Sequence, residues 1–192
     1  ANTYAQIYIH IVFAVKFRDA MLHDDWRDDL IKYIAGIIRN NGQKLIKGGG
    51  WRDHVHLLIS CNTSVNIANL VKDIKIHTNK WIQPKHKCRF SWQDGYAAIS
   101  ISQSHVDPLC QYIENQPQHH AKVTMVDEFK RLLAVNRLEY DDGFYPRTQN
   151  DCATDKSIVF IMSGYISVGF THGYYLSTAT RCHTSEININ NN

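Results

Sequence analysis

The spacing of hydrophobic positions changes several times along the chain, and each change marks an element. Tyr4 to Val15 is rich in Ile, Val, Tyr and Phe and ends where Lys16, Arg18 and Asp19 bring polarity, the composition of a strand. From Asp24 to Arg39, Trp26, Leu30, Tyr33, Ile34 and Ile37 recur at helical spacing. Aspartates open this segment and Asn41-Gly42 closes it, which predicts an amphipathic helix. Gln43 to Lys47 reads as a short strand, Gly48-Gly49-Gly50 as a turn or bulge, and His54 to Cys61 as a second strand completing a hairpin. Ile67, Leu70, Val71, Ile74 and Trp81 mark a second helix, whose opposite side carries Lys72, Lys75 and Asn79.

Further on, Arg89 to Trp92 and Ala97 to Ser102 flank Asp94-Gly95, a turn signal that predicts a hairpin. A helix is expected from Asp107 to Gln116. Asp107 is its cap and Pro108 its first helical residue, with Ser104 an earlier cap, and Val106, Leu109, Cys110 and Ile113 form its buried stripe. A last helix spans Met125 to Val135, with Phe129, Leu132 and Leu133 facing inward. The order β, α, β, β, α, β, β, α, α mixes hairpins with crossover helices. It points to an α+β sandwich with a mainly antiparallel sheet and a ferredoxin-like or RRM-like core.

Composition narrows the class without naming a function. With 44% hydrophobic and 20% charged residues in 192, the chain can bury one core and is neither disordered nor fibrous in character. The net charge of +3 says little, but its distribution says more. Between Val71 and Phe90, six basic residues (Lys72, Lys75, Lys80, Lys85, Lys87, Arg89) oppose only Asp73, while Asp19 to Asp29 holds five aspartates against Arg27. One basic face would suit a phosphate backbone, although a solvated lysine face gives the same pattern. The five cysteines are scattered without a CxxC pair, which argues against a disulfide framework and a structural zinc site. Ile7 to Val15 is interrupted by His10 and lacks the sequel of a signal peptide, so a reducing, cytoplasmic setting is expected.

Two short motifs carry possible chemistry. His54 and His56 are one residue apart on a predicted strand, so both imidazoles leave the same face and can share a metal. With 11 histidines in the chain such a pair also arises by chance, as hydrogen-bonded strand histidines. In YIENQ, Tyr112 and Gln116 stand at i and i+4 on the helix that follows Asp107, so phenol and amide project from one side. Alone, they read equally as a boundary tyrosine and a surface amide. Glu114 points elsewhere and reads as solvated. His10 reads as a buried, hydrogen-bonded strand histidine, and His119-His120 as either a solvated helix end or a DNA contact.

Taken in order, HIVFAVKFR (His10 to Arg18), DHVHLLIS (Asp53 to Ser60), the helix ending in Lys80-Trp81, FSWQDGYAAIS (Phe90 to Ser100) and YIENQPQHH (Tyr112 to His120) resemble one family. It is the single-tyrosine HUH transposases of insertion sequences, the insertion-sequence-200-like group and its REP-associated relatives. The likeness runs from about Thr3 to Tyr145 and implies that His54, His56 and Gln116 are metal ligands and that Tyr112 is the nucleophile. It implies Mg²⁺ or Mn²⁺ as cofactor, cleavage of single-stranded DNA beside a hairpin, and a 5′-phosphotyrosine intermediate. It also implies a homodimer, although some REP-associated relatives act alone. Lys16, Arg18, Lys72, Lys75, Lys80 and Arg89 are then candidates for the phosphate backbone, and Trp81, Trp92 or Tyr96 for stacking on bases, each of these aromatics reading also as core. The competing reading is a catalytically silent hairpin DNA- or RNA-binding module of the same fold.

Residues 1–146 thus form the expected transposase domain, and 147–192 an appended tail of unassigned role. Ile158 to Leu176 is uncharged and long enough to span a bilayer, but Ser163, Gly164, Ser167, Gly169, Thr171, His172 and Gly173 dilute it, so a membrane helix is not expected there.

Overall fold

The computed structural model describes residues 4–18, 21–86 and 89–139. Within them lie β1 (Ile7–Ala14), α1 (Asp24–Asn40), β2 (Lys44–Gly50), β3 (His54–Cys61), α2 (Ile67–His86), β4 (Ala97–Ile101), α3 (Val106–Glu114), α4 (Gln116–His120) and α5 (Met125–Val135). The sheet order is β2-β3-β1-β4 and every neighbouring pair is antiparallel. With α1 and α2 as the two crossovers, this is the ferredoxin-like α+β arrangement expected from the element order.

The alternation of side chains along the central strands divides the molecule into layers. Ile11, Phe13 and Val15 of β1 and its sequel, with Val55, Leu57 and Ile59 of β3, face α1 and α2 in the main core. The alternate residues face the other way. There Leu58, Ile99 and Ile101 meet Val106, Leu109 and Ile113 of α3, while Val12, Ala14 and Ala97 meet Met125, Phe129 and Leu133 of α5. His10, His54 and His56 share the parity of this second face and are all buried.

Four local expectations are corrected. The glycine triplet is the end of β2, with a register shift between Leu45 and Lys47, rather than a turn. A Cβ at Gly49 would lie 2.9 Å from the Ile113 side chain and backbone oxygen, and Gly50 has φ +155°, so glycine lets α3 lie directly on β2 and turns the chain toward β3. The hairpin about Asp94-Gly95 does not form. β4 takes the free edge of β1, Trp92 makes only a bridge to Val15, and Phe90 and Trp92 are drawn into the core. The indole of Trp92 donates to Thr78 Oγ1 (2.7 Å), and Lys75 Nζ donates to the carbonyls of Gln93 (2.7 Å) and Gly95 (2.6 Å), so α2 rather than a strand partner fixes this turn.

The other two corrections concern the tyrosine helix. Asp107 lies in the first turn of α3 and does not cap it; the N-cap residue is His105, without a side-chain cap bond, and Ser104 belongs to a 3₁₀ turn before it. The helix also stops at Glu114. Asn115 (φ −87°, ψ 11°) breaks the ladder, and Gln116 starts the short α4, so Tyr112 and Gln116 do not share one continuous helix. Among the described helices, none is long and apolar enough to cross a membrane. The expected tail at 147–192 and its apolar run lie outside the described residues.

Candidate metal centre

β3 presents the two histidines side by side because their spacing matches the strand period, and the register places His56 opposite Val12 and Gly49, and His54 opposite Ala14. Each imidazole is held from behind. His54 Nδ1 meets Asp53 Oδ1 at 2.7 Å, and His56 Nδ1 meets His10 Nε2 at 3.0 Å. With Nδ1–H donated to Asp53, His54 directs the lone pair of Nε2 into the centre, as a metal-binding imidazole requires. His10 orients His56 in the same way.

The opposite wall comes from the C-terminal helices. Tyr112 on α3, Gln116, His119 and His120 on α4, and Glu128 on α5 converge on the histidine pair within one chain. Glu128 Oε2 is 3.4 Å from His54 Nε2 and 3.0 Å from His120 Nε2, and Glu128 Oε1 is 3.4 Å from His56 Nε2. The Tyr112 hydroxyl donates to Glu128 Oε1, as does Gln116 Nε2 at 2.9 Å. His54 Nε2 also lies 3.2 Å from Gln116 Oε1 and 3.1 Å from His120 Nε2. The Tyr112 ring meets the His56 ring edge-on, 5.9 Å between centroids.

The electrostatics follow from burial. Burial holds His56 below the ordinary imidazole range against the pull of Glu128, and burial with the neighbouring His56 holds His10 well below it. Burial by itself would raise the Glu128 carboxyl, but His56, His120 and His54 outweigh it and keep the group ionised. The Tyr112 phenol is pushed well above its usual value by burial and then by the Glu128 charge.

A divalent cation fits this donor set. His54, His56 and Glu128 offer three ligand atoms within 4.8 Å of one another, as do His119, His120 and Glu128. His56 Nε2 is buried without a hydrogen-bond partner, the condition that a bound cation relieves.

A family model described as "Transposase IS200 like" matches residues 3–116, which hold β1 to α3 and both histidines. The chain belongs to the IS200-like transposase family. This transposase is 28% identical to the ISDra2 transposase TnpA of Deinococcus radiodurans over 118 residues, 58% of the chain and 84% of that protein. Its fold is similar to the crystal structure of a Deinococcus radiodurans R1 protein described as a transposase, with TM-score 0.50 and 25% identity over 60% of the chain and 95% of the other. It is also similar to a REP-associated tyrosine transposase solved with a REP hairpin, with TM-score 0.50 and 15% identity over 85% of the chain and 98% of the other, a likeness of fold.

Of the expected site residues, His54, His56, Tyr112 and Gln116 come together. The basic residues do not join them. Lys72 and Lys80 are exposed on α2, across the sheet from the histidines, Arg89 is exposed on the loop that follows, and Lys16 and Arg18 lie in the 3₁₀ turn after β1. The ammonium of Lys75 is committed to the Gln93 and Gly95 carbonyls. Trp92 and Tyr96 are core residues, and Trp81 stacks on Tyr33. His10 is buried and hydrogen-bonded as expected, and Glu114 is exposed and paired with Lys47 at 3.1 Å.

Sequence reasoning missed Glu128, His119 and His120 as members of the centre. It also missed Trp51, whose ring stacks on His120 (6.4 Å between centroids) beneath the guanidinium groups of Arg27 (5.5 Å) and Arg52 (5.3 Å).

Proposed function

We propose that this transposase cleaves and rejoins single-stranded DNA beside a hairpin, with Tyr112 as nucleophile. The observation carrying the reading is the convergence of a strand histidine pair and a helix phenol on one buried centre. Attack by the Tyr112 oxygen forms a bond to phosphorus and breaks the bond to the 3′ oxygen. The products are a 5′-phosphotyrosine and a free 3′-OH, the phenolic proton being matched by the one that the 3′ oxygen takes up. The phosphodiester energy stays in the tyrosine ester, so a second 3′-OH can reverse the step without ATP.

Mg²⁺ or Mn²⁺ would be held by His54 and His56 with an oxygen ligand from the facing helices, where the resemblance implies Gln116. When bound, it polarises a non-bridging phosphate oxygen. The chain's own contribution is positioning. Asp53 and His10 fix the imidazoles, Glu128 and the His56 ring fix the phenol, and α3 lying on Gly49 sets the distance between the two walls. Trp51, with Arg27 and Arg52 over it, suits an unpaired base and its phosphate next to the centre. The members of the centre described above all come from one chain, which is consistent with a site assembled in cis.

The test is incubation of the chain with a single-stranded hairpin oligonucleotide and Mn²⁺, followed by denaturing electrophoresis. A covalent protein–DNA adduct that is lost in Tyr112→Phe supports the reading. Hairpin binding by the natural chain with no adduct at any metal concentration favours the silent binding module instead.

A further inference from the structure

We propose that Glu128, on α5, is the third protein ligand of the metal, and that Gln116 is a positioning residue that holds its carboxylate. This deepens the functional reading above and rests on its assignment of His54 and His56.

Three observations carry it. First, the carboxylate reaches both histidines of the pair, with Oε2 3.4 Å from His54 Nε2 and Oε1 3.4 Å from His56 Nε2. Gln116 Oε1 stands 3.2 Å from His54 Nε2 and carries no charge, while its Nε2 donates to Glu128 Oε1 at 2.9 Å, the arrangement of an outer-shell residue that orients a ligand.

Second, the spacing is that of ligand atoms around an ion. His54 Nε2 and His56 Nε2 each lie 3.4 Å from a Glu128 oxygen, and the donor atoms of His54, His56 and Glu128 all lie within 4.8 Å of one another. Adjacent ligands at about 2.1 Å from an octahedral ion are about 3.0 Å apart. His54 Nδ1 bonds Asp53, which leaves the Nε2 lone pair facing the Glu128 carboxylate, and His56 Nε2 is buried without a hydrogen-bond partner. A cation between these atoms and the carboxylate satisfies them.

Third, Glu128 is 6% exposed on the inward side of α5 beside Met125 and Phe129, where a leucine-like residue is the rule. A buried carboxylate is retained where a positive charge compensates it. Two imidazoles and one carboxylate leave one net positive charge on a divalent ion.

The experiment is titration of the full-length chain with Mn²⁺ alone, with free Mn²⁺ read by electron paramagnetic resonance. Glu128→Gln, which keeps shape and volume, is expected to weaken binding by at least about 100-fold. Gln116→Ala is expected to weaken it by about 10-fold, the lower range for an outer-shell partner. A loss in Gln116→Ala as large as or larger than that in Glu128→Gln overturns the assignment. His54→Ala and His56→Ala separate this failure from that of the reading beneath it. If both bind Mn²⁺ as tightly as the natural chain, the histidine site itself is wrong and the proposal falls with it. Should Glu128→Gln not fold, as judged by circular dichroism in chelator, crystals of the unaltered chain grown with Mn²⁺ decide. An anomalous peak within about 2.4 Å of a Glu128 oxygen supports the assignment, and a peak farther away overturns it.

Discussion

At the scale of residues, the centre depends on groups whose work is to aim other groups. His10 contributes no atom to the proposed ion, yet it holds His56 Nδ1 at 3.0 Å. Substitution His10→Phe keeps a buried ring in place and removes that bond, so Mn²⁺ affinity is expected to fall by about 10-fold, measured by titration, with little change in the circular dichroism spectrum. Lys75 gives a second expectation. Its pKa is lowered to about 8 by burial, partly offset by Asp94, so the folded state releases this proton at lower pH than the unfolded chain, where lysine titrates near about 10.4. Between those values the unfolded state binds more protons, and stability contributed by this site therefore rises with pH. Urea midpoints compared between pH 7.5 and 9.5 should show an upward trend in the natural chain that is smaller in Lys75→Met, whose side chain does not titrate. His54, His56, Tyr112 and Gln116 were legible through the family resemblance that the ordered motifs carry, since neither short pair decides alone. Glu128 was not, although a signal existed: Met125, Glu128, Phe129 and Leu132 follow one inward stripe, and an acid on such a stripe is out of place unless something balances it.

At the scale of elements, the three glycines before the histidine strand determine how closely the tyrosine helix approaches. A methyl group at Gly49 would sit 2.9 Å from the Ile113 backbone oxygen, which cannot rotate away. Gly49→Ala is therefore expected to destabilise the chain by about 1–3 kcal/mol in urea unfolding, the usual cost of overpacking. It should also reduce adduct formation with hairpin DNA, because α3 carries Tyr112. The sequence showed the strands and helices through their periods, and it located β3, α1 and α5 within a residue or so of their bounds. It misread the triplet as a turn or bulge because glycine is common in both, and the reason for it here lies in a helix more than sixty positions away. The Asp94-Gly95 hairpin failed for a related reason: Phe90 and Trp92 belong to the main core, where Trp92 is bonded to Thr78 of α2.

At the scale of the whole molecule, the sheet is covered on both sides, by α1 and α2 on one face and by α3 and α5 on the other. The uninterrupted burial from His54 to Ile59 has this cause. Because one chain supplies both walls of the centre, a mixture of Tyr112→Phe and His56→Ala chains is expected to form no adduct with hairpin DNA. Recovery of adduct in the mixture, read by denaturing electrophoresis, would show that subunits exchange the tyrosine helix. Lys72 and Lys80 are on the far layer, so exchanging both for alanine should lower hairpin affinity and its salt slope without changing the adduct rate at saturating DNA.

The centre joins the first strand, at His10, to the last described helix, at Glu128. During synthesis the histidines leave the ribosome well before the acid that faces them. A half-made or clipped polypeptide therefore has the imidazoles but not their counterpart, and the assembled centre arrives only with the finished fold.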